Sequence, residues 1–170
     1  MKRTHAIAVL ALGGVLSLVN LASPSIPADG PEEVVAPSAN LSPEDVIRFQ
    51  ISALSAAGDV NARVKRCYQF ASPDNRAYTG PLKRFTDMVQ SPTYNALLRA
   101  RHFLVGRATI QGKEAHLLLT VVDSNGELRV FRCFLSKQTN PQYRDCWMTD
   151  GVFPVGLGKP ANKSTPLPTI

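Results

Sequence analysis

Cysteine is scarce in this sequence: Cys67, Cys133 and Cys146 are the only three in 170 residues. Their spacing does not suit a structural zinc site, which wants four close ligands, so no metal site is expected. An odd count leaves at most one disulfide and one spare thiol. Histidine is equally rare, and His5, His102 and His116 make no His–carboxylate pair in the sequence. There is no nucleophile elbow and no glycine-rich phosphate loop. No catalytic residue and no cofactor can therefore be assigned. Aromatic residues make up 7% of the chain and are not interleaved with the basic ones, which disfavours nucleic acid despite a pI near 9.5.

One long uncharged run is present, at the start. Met1, Lys2 and Arg3 form a short basic head, and Ala6 to Ala22 then carry no charge. This is the pattern of a secretory signal, so residues 1–28 are expected to be a signal peptide or N-terminal anchor. The paired glycines Gly13 and Gly14, together with Asn20, make residues 6–22 a poor permanent span. The expected location is exported, periplasmic or otherwise extracytoplasmic, with membrane attachment only if that segment is not cleaved. Removing Lys2 and Arg3 lowers the net charge from +6 by two. The remaining excess sits between Arg63 and Arg107, and solvated helix faces are the simplest reading of it.

Proline marks the boundaries of the folded unit. Residues 29–40 read as a Pro-rich flexible spacer and residues 154–170 as a disordered Pro-rich tail, leaving 41–153 as one domain. Ser42-Pro43-Glu44-Asp45 has the cap, the N1 proline and the early acids of a helix start. Asp59 can cap a second helix, which Ser72-Pro73 should stop, making Asp74-Asn75-Arg76 a turn. Gly80-Pro81 opens a third helix, and Tyr94 to Leu98 a further helical turn.

From Arg101 the pattern alternates, giving four strands at about 101–110, 113–122, 127–136 and 142–149. Gln111-Gly112 and Asn125-Gly126 are the first two hairpin turns, the latter expected to take positive φ at both residues. The fold class is therefore α+β: N-terminal helices packed on a four-stranded antiparallel meander.

Mirroring the strands about those turns places Arg107 opposite His116, Leu118 opposite Cys133, and Leu119 opposite Arg132. A last hairpin symmetric about Thr139-Asn140 sets Cys133 against Cys146 and Arg132 against Trp147. One face then carries Phe103, Val105, Leu118, Phe131, Cys133, Cys146 and Met148, while Leu104, Leu117, Leu119, Val121, Val130, Phe134 and Trp147 share the other. Both are too apolar for water, so one packs on the helices and the other needs partial cover, from a partner chain, a membrane surface or the C-terminal tail. In this register Cys133 and Cys146 are within disulfide reach, the alternative being two buried thiols. Arg132 stacks on Trp147 beside Asp145. His102 and His116 fall on opposite faces. The ligand-binding candidates are Asn75, Arg76, Arg132, Asp145 and Trp147.

Three segments carry a family resemblance: SPEDVIRFQ (42–50), FASPDNRAYTGPLKRF (70–85) and CWMTDGVF (146–153). They resemble domain-of-unknown-function family 4864, seen in bacteria, cyanobacteria and plant plastids, over about residues 41–153. No activity comes with that resemblance. Helices followed by a sheet also look like the cystatin-like roll of the nuclear transport factor two superfamily, which implies a sheet curled around helices and often a pocket. The function expected is a non-catalytic module binding a small molecule or a protein partner, with a homodimer through the sheet as one form. The alternative is a small pocket enzyme of the isomerase or hydrolase type using Asp145, Tyr143 and Arg132.

Overall fold

The computed structural model describes residues 35–156. They lie in one of two compact units of the chain, Val34–Ile170; the other, Met1–Glu33, lies outside the described residues, as do the expected signal, half of the spacer and most of the tail. Five helices come first: α1 (Pro43–Ser55), α2 (Val60–Tyr68), α3 (Pro73–Thr79), α4 (Leu82–Gln90) and the single turn α5 (Asn95–Leu98). Five strands follow: β1 (Ala100–Val105), β2 (Thr109–Gln111), β3 (Glu114–Asp123), β4 (Leu128–Lys137) and β5 (Trp147–Val155). The sheet is open and antiparallel in the order β1-β3-β4-β5, with the short β2 also paired to β3. The fold is α+β, helices then sheet. Among the described residues no helix is long and apolar enough to cross a membrane.

Ser42 starts α1 through a full capping box: its hydroxyl accepts from the Asp45 N–H, and the Asp45 carboxylate accepts from the Ser42 N–H. The Ser42 hydroxyl also donates to that carboxylate at 2.6 Å. These bonds, from side chain and backbone of Ser42, hold the Asp45 carboxyl below its ordinary range. The same Ser-Pro signature recurs at Ser72-Pro73 and has the same effect. Ser72 caps α3 by accepting from the Asn75 N–H, so Asp74-Asn75-Arg76, expected as a turn between helices, is the first turn of a helix.

The expected first strand is two. Gly106 breaks it, donating its N–H to the Leu118 carbonyl; a Cβ at this position would stand 3.0 Å from that oxygen. The turns also differ from expectation and set the β2–β3 and β3–β4 registers, while irregularities at Ala100/His102 and Phe134/Leu135 add shifts of their own. Gly112-Lys113 form the first two-residue loop, with φ of 61° at Gly112, so His116 faces Thr109 and not Arg107. At the next turn only Gly126 takes positive φ, at 78°. Asn125 is held instead by the buried Asp123, whose Oδ1 accepts from the N–H groups of Asn125 and Glu127. The wider loop slips the pairing by one residue, so Leu118 faces Arg132 and Leu117 faces Cys133.

The third connection departs most. Residues 138–146 form a loop containing a 3-10 turn at Pro141–Tyr143 and a positive φ of 63° at Asp145. Cys146 therefore lies before β5, where its carbonyl accepts from the Gln138 N–H, and Cys133 pairs with Val152. The expected Cys133–Cys146 disulfide does not form: all three cysteines are free and buried.

These slips reassign the faces. Leu117, Leu119, Val121, Phe131, Cys133, Leu135 and Trp147 are buried with the α1, α2 and α4 stripes in one core. Leu104, Leu118 and Phe134 stand on the other side, exposed. His102 pairs with Val122, which puts it on the same outer face as His116, not the opposite one. Six residues of β3 separate those two positions, about 20 Å, so the histidines still do not meet.

Candidate functional site

A cavity of about 120 Å³ opens between the helices and the inner face of the sheet. Its floor is Leu119 and Cys133 on the strands. Its walls are Ile47, Ile51 and Leu54 from α1, Cys67 from α2, and Phe85, Met88 and Val89 from α4, closed by Tyr94 and Leu97. The rim is Asn75, Tyr78 and Thr79 of α3 and the β5 segment from Thr149 to Phe153. The α1 contribution repeats at helical spacing, which is why one helix supplies so much of the wall.

The polar end of the cavity is built on Thr149. Its Oγ1 hydrogen bonds Oε1 of Gln50 at 2.7 Å, and Gln50 donates from Nε2 to the Cys67 carbonyl at 3.1 Å. The Thr149 carbonyl accepts from the Ser72 N–H and from Asn75 Nδ2, both at 2.9 Å, while its own N–H donates to the Phe70 carbonyl. A parallel bridge between Ala71 and Thr149 completes the joint. Gln50, Phe70 to Asn75 and Thr149 come from the three segments that carry the family resemblance. They meet at one residue. Tyr94 adds a second polar anchor, its hydroxyl donating to the Val152 carbonyl at 3.1 Å.

Burial sets the acid–base chemistry of this space. It pushes the Cys67 thiol up to about 12, with Cys133 nearby adding to the effect, and pushes Cys133 up to about 12 as well. Both are neutral thiols at physiological pH and so are poor nucleophiles, since the thiolate is the reactive form. Burial also raises the Tyr94 hydroxyl. The exposed Asp150 is the one carboxylate on the lining, at the rim, where its Oδ1 accepts from the Ser136 hydroxyl at 2.9 Å. Among the described residues no group of three or more His, Cys, Asp and Glu could hold a metal.

Of the five binding candidates read from sequence, only Asn75 lines the cavity. Its neighbour Arg76 turns away and is held between two rings, with its guanidinium carbon 5.1 Å from the centre of Tyr68 and 5.6 Å from that of Tyr143. It donates to the Gln69 carbonyl at 2.7 Å and to the Tyr143 hydroxyl at 3.3 Å. Arg76 thereby fastens the 138–146 loop to α2 and α3.

The expected Arg132–Trp147–Asp145 group is not assembled. Arg132 is on the outer face opposite Phe153, Trp147 is buried in the core under Lys137, and Asp145 is an exposed loop residue. The cause is the long loop, which displaces β5 from the assumed symmetric hairpin. Neither Asp145, Tyr143 nor Arg132 lines the cavity.

Sequence reasoning missed Gln50, Tyr94 and Thr149. Gln50 had a readable signal: it sits on the α1 stripe between Ile47 and Ile51, where a polar residue must find a buried partner. Thr149 had none beyond its place in CWMTDGVF, because its partners are up to 99 residues away.

No curated protein and no solved structure matches the chain. A family model, Domain of unknown function (DUF4864), matches residues 38–156, which span every element from α1 to β5. The three resembling segments, their convergence on Thr149 and that match agree: the chain belongs to the DUF4864 family.

Proposed function

We propose that this domain is a non-catalytic binding module that takes the apolar end of a small molecule into the cavity between α1, α4 and the sheet. The observation that carries this reading is the lining itself. It is apolar on its walls and floor, its inner polar groups are hydrogen bonded to one another, and its two thiols are held neutral. Such a space favours an uncharged apolar group, and its interior, away from Asp150 at the rim, offers that group no acid, base or nucleophile. A dry apolar cavity of roughly 150 Å³ is large enough for benzene, so about one ring or a short alkyl chain is the right size here. Asp150, Tyr78 and Thr79 at the rim would meet the polar end of the ligand.

The fold in this reading is a cystatin-like roll with an open sheet, and the domain works outside the cytoplasm after export through its first 28 residues. The charge-then-apolar start supports export, and the helices laid across a sheet with a cavity between them support the roll.

Titration of isotope-labelled protein with indole and with 1-octanol tests the binding. Saturable NMR shifts at Ile51, Cys67, Val89, Leu119 and Cys133 are expected. The absence of any shift there, or shifts confined to Leu118 and Phe134, would remove the reading.

A further inference from the structure

Among the described residues no helix covers the outer face of the sheet, and its apolar side chains are contiguous. Three rings run across three strands: His116 of β3 lies 6.3 Å from Phe134 of β4, and Phe134 meets Phe153 of β5 edge-on at 5.9 Å. Leu118 and Leu104 continue the patch toward β1. Leu104 is 69% exposed, Phe153 55%, Leu118 46% and Phe134 39%. A Cβ on Gly151, which pairs with Phe134, would stand 2.7 Å from the Phe153 ring. The bare glycine lets that ring lie down toward its neighbour. A patch of this kind marks an interaction surface.

Charge decides what kind. Arg132 lies within the patch, flanked by Leu118 and Phe153, and forms no ion pair with any described residue. Two residues beyond Phe134 on the same strand, Ser136 holds the Asp150 carboxylate, which likewise has no cation among the described residues. The face thus carries one unmatched cation, Arg132, and on the other side of Phe134 two carboxylates with no cation among the described residues, Asp150 and Glu114, which pairs with Ser136. An anionic lipid surface or an acidic peptide would satisfy Arg132 and be repelled by both carboxylates. A second copy brings each Arg132 to the carboxylate side of its partner. If a two-fold axis runs across the strands at Phe134, β4 lies antiparallel over the β4 of the copy. Arg132 then approaches Asp150 of the second copy, the reverse pair forms by symmetry, and the two Phe134 rings meet at the axis.

We propose that the protein forms a homodimer through this outer sheet face, centred on Phe134 and registered by two symmetric Arg132–Asp150 pairs. The surface meets the cavity only at the rim, where Asp150 and Phe153 belong to both; Arg132, Leu118 and Phe134 lie away from the lining, so loss of the dimer in Arg132→Asp and Leu118→Glu is read independently of the ligand.

Sedimentation equilibrium of the full chain from micromolar to millimolar concentration tests it, using Arg132→Asp, Asp150→Arg, the double swap and Leu118→Glu. The wild type is expected to dimerise. Each single charge reversal should raise the dissociation constant at least tenfold, and the double swap should recover most of that loss. Leu118→Glu should give a monomer with an unchanged circular dichroism spectrum. A wild type that stays monomeric throughout overturns the proposal. So does a dimer in which the two reversals add without rescue, or a monomer that binds anionic phosphatidylglycerol vesicles through Arg132.

Discussion

The two faces of this sheet are built from adjacent, chemically equal residues and have opposite fates. In Leu117-Leu118-Leu119 the outer two are 2% and 3% exposed, while Leu118 between them is 46% exposed. In β4, Phe131 is 1% exposed and Phe134 is 39% exposed. Residue type does not separate these pairs. What separates them is the pleat, which sends successive side chains to opposite sides, and the turns, which decide the side each strand gives to the helices. The inner face is then committed to the core and the cavity. The outer face keeps its apolar area, its rings and its charges uncovered by the described residues.

The comparison breaks most easily at the two phenylalanines. Phe131→Ala should cost about 3–5 kcal/mol, because the ring leaves a void that packed neighbours fill only in part. Phe134→Ala in the monomeric Leu118→Glu background should cost about 1 kcal/mol, the scale of its contacts with His116 and Phe153. Urea midpoints at constant slope read the difference. Equal losses would mean that the outer ring is packed as a core residue, and the contrast between the faces would fall.

A smaller effect sharpens the account of the inner face. Thr149→Val keeps the shape of the side chain and the hydrogen bonds of its backbone to Phe70, Ser72 and Asn75 but removes the hydroxyl bonded to Gln50. The Gln50 Oε1 is then left buried without that donor, at a cost of about 1–3 kcal/mol. Gln50→Leu together with Thr149→Val should recover part of this, since no side-chain polar atom of the pair is then left unpaired and the Cys67 carbonyl keeps the Phe70 N–H. A double variant losing the sum of both single costs would show that the polar joint acts through more than this one bond.

The α+β order, the helix starts at Ser42 and Asp59 and the apolar stripe of α1 were legible because they rest on neighbours three or four residues apart. The α3 start was equally legible in kind, since Ser72-Pro73 repeats Ser42-Pro43, but the same two residues also end α2. That double role hid the helix. The sheet faces were not legible. A two-residue Asn125-Gly126 turn and the wider loop organised by Asp123 differ by one position of register, and one position exchanges the faces. The cavity lay still further from reach. Its polar end depends on Gln50, Asn75 and Thr149, and its rim on the path of the 138–146 loop, which local pattern does not determine.

Asp123 gives the gentlest test of how the turn holds that register. It is 1% exposed at the end of the buried row of β3, and burial alone would raise its carboxyl. The N–H groups of Asn125 and Glu127 and the guanidinium of Arg99, 3.0 Å away, outweigh burial and hold it below its ordinary 3.8. A carboxyl held below its unfolded value stabilises the fold above that value, and the benefit disappears as pH falls through the lowered one. Stability should therefore decline on acidification below about pH 4, more steeply in the wild type than in Asp123→Asn, which cannot titrate. The effect is expected to be the smallest of the three because burial opposes it. Identical pH profiles for the two proteins, measured by urea unfolding from pH 7 to pH 2.5, would show that the loop and its register hold without the charge. Leu118 would then owe its outward position to the core packing of Leu117 and Leu119 alone.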